Sequence, residues 1–249
     1  MKWCEGNQIK LNMDKTEAMF YQTNRSSKIF PDTLLMKDGE ITVCSSAKFL
    51  GIYIDQNMRW DTHCTSLSKR LHSVIYTLNV LRDKLAEPVL KLIYSSNFVS
   101  QITYGIIFWG NSGFSNKIFV DQKWAIRTIF HLKRRTSCRG IFRKHGYMTL
   151  IGLYIYKCLM FVQQNRKLFM NYEIHSNTRK MDYYFLPKCR LALTQNQVEF
   201  MCLKLYNRLP RGFCTSSEDK HFKNRLRKFI IECEPYTVDE FYEYCSSVV

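Results

Sequence analysis

The fold is decided in one short stretch, residues 48–61, which reads KFLGIYIDQNMRWD. Its first seven residues are apolar and β-branched enough to form a strand. At its other end, Asp61 is a good N-cap for a helix, and the apolar residues after it recur every three or four positions. These residues are Leu67, Leu71, Val74, Leu78, Leu81 and Leu85. The sequence therefore predicts an α+β fold, with a small antiparallel β region up to about residue 58 and a predominantly α-helical remainder.

The first sixty residues read as short strands and turns. Residues 8–11 and 18–21 alternate in polarity and are predicted to be strands on either side of a turn. Asp38 and Gly39 form a strong hairpin signal between residues 33–36 and 41–43.

Helical periodicity continues to the end of the chain. Pro88 suits the first turn of a second helix, which we expect to reach about Phe108. A third helix should begin at Ser115 or Asn116, and a fourth after Thr149. Further helices are predicted at about residues 194–209, 220–232 and 238–245. The acidic stretch 232–243 is interleaved with aromatic residues, so we expect it to pack against the fold.

Composition excludes several classes of protein. A hydrophobic content of 46% with 14% aromatic residues excludes a disordered chain. The longest uncharged stretch, residues 92–116, is interrupted by polar side chains and predicts no membrane span. The ten cysteines include no Cys-x-x-Cys pair, so we predict reduced core cysteines and no metal site. With no signal-peptide pattern at the start, we expect an intracellular protein, in the nucleus, the cytoplasm or both.

The net charge of +16 is concentrated in the middle of the chain. Residues 61–211 carry twenty-four basic and seven acidic side chains, a net charge of +17, whereas residues 1–60 carry +1 and residues 212–249 carry −2. This asymmetry favours a polyanion as partner. Basic side chains also serve as ordinary solvated surface, so charge alone leaves both interpretations open.

The strongest candidate site is the run from Gln122 to Lys144, called here the basic segment. It contains eight basic residues and no acidic one. They are Lys123, Arg127, Lys133, Arg134, Arg135, Arg139, Arg143 and Lys144. Contacts to phosphates release condensed counterions, so such a segment is typical of nucleic-acid binding. Trp124, Phe130 and Phe142 lie among the charges and either stack on bases or pack in the core; the triplet 133–135 also reads as a nuclear-targeting signal.

Two other segments carry a resemblance to a known family. Residues 11–20, LNMDKTEAMF, resemble the fourth palm motif of non-LTR (jockey-like) retrotransposon reverse transcriptases. Residues 49–55, FLGIYID, resemble the hairpin that grips the primer in that family. Weaker similarities follow in the family's order. They lie at residues 60–63, 104–110, 122–127, 175–179, 206–210 and 222–227.

The resemblance implies a C-terminal portion of such a polymerase: late palm at 1–58, helical thumb at 59–145 and post-thumb region at 146–249. It implies that Lys15 matches the motif lysine near the leaving pyrophosphate, and that Phe49, Leu50 and Gly51 form a primer grip. An ordinary buried strand with a glycine bulge is the other interpretation of these three residues, and the two interpretations can hold together. The family's metal-binding aspartates precede the first motif. We therefore expect no catalytic metal site and no cofactor here, with Mg²⁺ needed only by an intact polymerase of the family.

Three functions remain open on this reading. The chain is an inactive derivative of an RNA-directed DNA polymerase that still binds an RNA or DNA primer–template, or a stand-alone nucleic-acid-binding protein, or a helical module that binds a protein partner. A missing N-terminal polymerase half, or a second copy added at an exposed palm edge, is the expected protein partner. No membrane partner is expected.

Overall fold

The computed structural model describes residues 3, 6–9, 12–23, 29–36, 39–169, 184–213 and 221–248. It divides into two compact units, Met1–Ser66 (unit 1) and Leu67–Val249 (unit 2). The predicted turn residue Asp38 and the block of resemblance at 175–179 lie outside the described residues. Strands occupy unit 1 and helices fill unit 2, which confirms the predicted α+β class.

The described residues of unit 1 form two small sheets. Their strands are β1 (Glu17–Ala18), β2 (Thr33–Met36), β3 (Gly39–Val43), β4 (Ser46–Phe49) and β5 (Ile52–Asp55). The first sheet has the order β1-β3-β2, and the second is the β4–β5 hairpin. The predicted hairpin of β2 and β3 is confirmed, with Leu34 opposite Ile41. The sheet is not purely antiparallel, because the chain passes through β2 before β3 and lets β1 pair with β3 in parallel.

Three of the predicted strands differ from the structure. Residues 8 and 9 are not in a strand, and the predicted strand at 18–21 shortens to β1. The single strand predicted at 48–54 is a hairpin, because Leu50 and Gly51 have φ of 46° and 86° and reverse the chain. Positive φ at both central residues is the requirement of a type I′ hairpin turn.

Unit 2 is built from helices around a central one. From residue 61 onward, the α-helices among the described residues are α1 (Asp61–Leu81), α2 (Glu87–Ile93), α3 (Ser100–Thr103), α4 (Ile106–Trp109), α5 (Ser115–Ile129), α6 (Ile141–Lys144), α7 (Leu150–Gln164), α8 (Arg166–Phe169), α9 (Ala192–Gln195), α10 (Val198–Tyr206), α11 (Phe222–Cys233) and α12 (Val238–Ser247). Of these, α7 contacts α3, α4, α5, α8, α10 and α11. Helix α7 contacts α5, and α6 contacts α11. Each pair joins a helix before residue 145, the predicted boundary between the thumb and the post-thumb region, to a helix after it.

The helix predicted from Pro88 to Phe108 is interrupted. After α2 the chain makes a π-helical turn, Tyr94–Val99, then α3, and breaks at Gly105, which has φ of 60°. Such a left-handed conformation suits glycine and ends a helix. Tyr104 is 56% exposed, whereas Trp109 is fully buried and its indole N–H donates to the Tyr104 carbonyl at 3.2 Å.

Close packing on α7 begins at its N-terminus. The Thr149 hydroxyl caps the helix by accepting the Gly152 N–H at 3.0 Å, which confirms the predicted start. Gly110 lies so close to α7 that a Cβ there would be 2.7 Å from the Tyr154 ring. Buried residues Ile155, Cys158 and Leu159 complete the face of α7 toward the core.

Two expectations from composition concern the described part of the chain. Five of its thiols, those of Cys64, Cys138, Cys158, Cys202 and Cys245, are buried, which confirms their use as core side chains. Across the same residues, no helix combines the length and the apolar character needed to cross a bilayer.

Candidate nucleic-acid interface

The basic segment begins on the outer half of α5. Ile118, Ala125, Ile126 and Ile129 bury one face of this helix. Lys123 and Arg127 lie one turn apart at its half-exposed edge, as their spacing predicts. The segment then continues through residues 130–140 and ends with α6.

Arg139 is held by the C-terminal part of the chain. Its guanidinium makes two parallel hydrogen bonds to the Glu240 carboxylate, at 2.9 and 3.2 Å, and lies 4.2 Å from the centre of the Tyr236 ring. Its side chain is 56% exposed, but the bidentate geometry fixes the direction of the guanidinium. The hydrogen bond from Arg139 lowers the pKa of Glu240. Arg139 therefore contributes to holding α12 in place.

Lys123 and Arg127 are also held inside unit 2. The Lys123 ammonium lies 4.4 Å from the centre of the Phe119 ring, and burial, together with the nearby Arg127 charge, lowers its pKa. Arg127 Nε donates to the Thr136 carbonyl at 2.8 Å and so ties the loop after α5 back to the helix. With Arg139, these residues are called the anchored cations.

A buried carboxylate completes the docking of the C-terminal segment. Both oxygens of Glu234 accept the Gly140 N–H, at 2.7 and 2.9 Å, where α6 begins. Burial raises the pKa of Glu234, and the Gly140 hydrogen bond acts against that rise. The next residue, Pro235, accepts from the Thr149 hydroxyl at 2.5 Å. Residues 234–240 thus connect α12 to both α6 and α7, and the acidic stretch packs as predicted.

The remaining five basic residues face solvent. Lys133, Arg134, Arg135, Arg143 and Lys144 are exposed, and within the described ranges none of their side chains makes a hydrogen bond or ion pair. The first three lie in the loop between α5 and α6, and the last two lie on α6. We call them the outward cations. They are the part of the basic segment that can contact phosphate without giving up a partner in the protein.

The three aromatic residues of the basic segment take different positions. Phe142 is fully buried and packs near Phe119. Phe130 stacks on the His145 ring, with centroids 3.7 Å apart. Trp124 is 50% exposed and contacts the edge of His72. Only Trp124 among the three therefore presents a large part of its ring to solvent.

The predicted site residues of unit 1 lie on exposed turns. Lys15 is exposed at the end of a 3₁₀ turn, Met13–Lys15, and the Thr16 hydroxyl donates to the Asn12 carbonyl at 2.7 Å to hold that turn. Phe49 is 63% exposed and Leu50 is 74% exposed, and with Gly51 they form the tip of the β4–β5 hairpin. The alternative of an ordinary buried strand is therefore wrong.

Carboxylates do not gather into a metal site in the described residues. No three His, Cys, Asp or Glu side chains there are placed to hold one ion. Asp55, at the end of β5, is buried; this burial raises its pKa, and the nearby Asp61 carboxylate raises it further. Asp14 is exposed in the turn next to Lys15.

Sequence reasoning missed the partners of the anchored cations. The aromatic residues of stretch 232–243 indicated that it packs, but nothing in the spacing indicated that Glu234, Tyr236 and Glu240 meet the basic segment a hundred residues earlier. The opposite charges of the two segments were the available signal, and many other pairings would have satisfied it equally well.

Comparison with known proteins adds no relative: no protein-family profile, no curated protein and no solved structure matches this chain.

Proposed function

We propose that this chain binds the phosphate backbone of RNA or DNA through its outward cations, as the C-terminal portion of a non-LTR reverse transcriptase. One observation carries the proposal: five exposed cations lie within twelve residues of chain, and the cations between and before them already have partners in the protein. A solvated face unrelated to binding would usually mix both signs of charge. The basic segment contains one sign only.

The chemistry of this surface suits backbone binding without readout of bases. Arginine and lysine on a loop and a short helix can adjust to phosphates and release their condensed counterions. In the motif that resembles the family, Lys15 lies on an exposed turn, and Phe49, Leu50 and Gly51 lie on an exposed tip. These positions support a role for unit 1 at the primer, with Gly51 allowing close approach of a phosphate.

The test is binding of a hairpin RNA over a series of salt concentrations. If the five outward cations each contact one phosphate, the logarithm of affinity should fall with the logarithm of salt with a slope of about −4.5 for a duplex and about −3.5 for a single strand. Reversal of two charges, Arg134→Glu with Arg135→Glu, should abolish binding at moderate salt.

A matched control is available on α1, where Lys69 and Arg70 form another exposed basic pair. The variant Lys69→Glu with Arg70→Glu changes the net charge by the same amount. It should keep most of the affinity of the unchanged chain. A flat salt response, or equal losses in both variants, would refute binding through the outward cations.

A second surface supports a protein partner. Strand β2 pairs with β3 on one side only in the described part of the sheet, and Leu35 on it is 81% exposed. An uncovered apolar edge can accept another strand, from a preceding polymerase half or from a second copy of the chain. Sedimentation of the chain and of a Leu35→Lys variant tests this: self-association that the substitution does not weaken excludes this edge.

The same surface supports a proposal about the compartment. The exposed triplet Lys133, Arg134 and Arg135 is accessible to a nuclear import receptor, which supports a role in the nucleus as well as the cytoplasm.

A further inference from the structure

Two adjoining hollows form a groove on unit 2. Most of the residues that line it are distant in sequence from the outward cations, but a few come soon after the last of these cations. The first has a volume of about 300 Å³ and lies between α4, α7 and α11. The second has a volume of about 250 Å³ and lies between α7, α11, the π-helical turn and residues 146–148. Tyr156 and Lys157 line both hollows, so the two share a wall on α7. Only His145 separates residues 146–148 from Lys144 in the chain, so the second hollow opens near the end of the basic segment.

The charge of the groove is of one sign. Lys157 lies at the shared wall, Lys223 lines the first hollow and Arg227 lines the second. Lys223 and Arg227 are one turn apart on α11 and therefore share a face. Within the described ranges, none of these three side chains makes an ion pair or hydrogen bond, and no carboxylate lines either hollow. Three cations without counterions at the rim of an apolar groove call for an anionic occupant.

The floor and rim of the groove are rich in aromatic side chains. Phe108 and Phe161 line the first hollow, Tyr147 lines the second, and Tyr156 lines both. Phe108 is 48% exposed at the rim. An alternation of aromatic rings and cations is what single-stranded nucleic acid needs, because its unpaired bases stack while its phosphates follow the charges. A duplex, whose bases are already stacked, gains nothing from the hollows.

We propose that this groove binds a single strand of nucleic acid, with bases in the two hollows and phosphates at Lys157, Lys223 and Arg227. The proposal rests on the proposed function, since the groove would extend the phosphate track of the outward cations. The occupant is a strand rather than an acidic peptide because the groove combines four aromatic residues with continuity to the basic segment. An acidic peptide would have no need of that continuity.

The experiment compares hairpin RNA with and without an unpaired tail of about eight uridines, a length within the usual range of single-strand sites. The tail is placed at either end of the hairpin, so that both strand directions are sampled. Of the two tailed hairpins, the one that binds more tightly should bind the unchanged chain about tenfold more tightly than the blunt hairpin does. A factor of about ten is the affinity gained from roughly one stacked base. The variant Lys157→Gln with Arg227→Gln should lose this gain and keep its affinity for the blunt hairpin.

Two further variants make the result specific. Lys167→Gln with Lys228→Gln removes the same charge from exposed positions outside the hollows and should keep the gain. Phe108→Leu keeps apolar bulk at the rim but removes the ring, and it should reduce the gain by several-fold. Photocrosslinking of iodouridine in the tail should mark Tyr156 or a neighbouring residue of the groove.

The outcomes separate the two proposals. Equal affinity for tailed and blunt hairpins, or a gain that survives the Lys157 and Arg227 variant, overturns the groove while leaving the outward cations intact. Absence of binding to either hairpin overturns the proposed function and the groove with it. If a peptide of alternating Glu and Phe displaces the tail but not the blunt hairpin, and binds more tightly than the tail, the groove belongs to an acidic protein partner and the proposal is wrong.

Discussion

The anchored and the outward cations lie in the same segment of chain and have the same chemistry, yet the structure uses them differently. Lys123, Arg127 and Arg139 each have a ring, a carbonyl or a carboxylate of unit 2 within reach. The outward cations make no hydrogen bond or ion pair in the described ranges, and only the Arg143 charge acts on a carboxylate, where it opposes the rise that burial causes in the pKa of Glu234. A count of basic residues therefore overstates the binding surface. What decides whether a cation can bind phosphate is whether the fold already supplies it with a partner.

The largest effect should come from breaking the support of the anchored cations. Phe241 on α12 is fully buried and contacts Phe229 on α11. We expect Phe241→Ala to lower the free energy of unfolding by about 3–5 kcal/mol, because it leaves a cavity where the helix docks. Denaturation in urea measures it. Val248→Ala, at the exposed residue that follows the same helix, should change stability by less than about 0.5 kcal/mol. A loss of unfolding free energy below about 1 kcal/mol for Phe241→Ala would mean that α12 does not hold the anchored cations in place.

The outward cations should show the opposite profile. Neutralising three of them in one variant, Lys133→Gln, Arg134→Gln and Arg135→Gln, removes three phosphate contacts. The salt slope on a duplex should move from about −4.5 to about −1.8, and affinity at 0.1 M salt should fall by roughly 500-fold. The free energy of unfolding should stay within about 0.5 kcal/mol. Parallel binding and denaturation measurements test both halves, and a large loss of stability would show that these residues belong to the anchored class.

Much of the fold could be predicted, because local rules decide it. Thr149 caps α7, Asp61 begins α1, and the β2–β3 hairpin follows its turn signal. Predictions failed where a single residue overrides the pattern. The left-handed Gly105 breaks an otherwise helical run, and positive φ at Leu50 and Gly51 turns one apolar strand into two. Both glycines are evident in the sequence. Whether a glycine interrupts a helix or reverses a strand depends on what the residues beside it contact, and the sequence does not give those contacts.

The candidate site was predicted less well, because it depends on contacts that are distant in sequence. The spacing of Lys123 and Arg127 predicts that they share one face of the helix. Only the fold shows that the Lys123 ammonium lies over the Phe119 ring and that Arg127 donates to the Thr136 carbonyl. Arg139 and Glu240 are a hundred and one residues apart. The groove of Lys157, Lys223 and Arg227 is formed by two helices for which the sequence predicted no binding residues. Charge runs are readable from sequence, whereas the partners that neutralise them are not.

Single substitutions compare the two classes directly at a smaller scale. Arg139→Gln removes the bidentate contact with Glu240 and the stacking on Tyr236, so we expect a loss of about 1 kcal/mol in unfolding free energy with an unchanged salt slope. Arg134→Gln should leave stability unchanged and reduce the slope by about 0.7–0.9. Measuring both quantities for both variants forms a complete cross-comparison. Exchanged results would reverse the assignment of these two arginines.

The smallest effects should appear in the pH dependence of stability, where Glu234 and Glu240 act in opposite directions. The Arg139 hydrogen bond lowers the pKa of Glu240, so its contribution is present above about 4.5 and is lost as pH falls through the folded pKa. Burial raises the pKa of Glu234, so the stability it contributes is complete below about 4.5 and declines as pH rises through its higher folded pKa. Unfolding measured between about pH 3 and about pH 7 tests the pair.

The two isosteric variants should therefore diverge from the unchanged chain in opposite senses. The loss of unfolding free energy caused by Glu240→Gln should become smaller as pH falls, because the Glu240 carboxylate that pairs with Arg139 becomes neutral in the unchanged chain too. The free energy of unfolding of Glu234→Gln should increase relative to that of the unchanged chain as pH rises above 4.5, because the variant avoids burying a charged carboxylate beside Gly140. Glu232→Gln, exposed on α11, is the control for charge alone. If both variants drift in the same direction, the two carboxylates share one environment, and the distinction between a buried cap and an exposed partner of Arg139 fails.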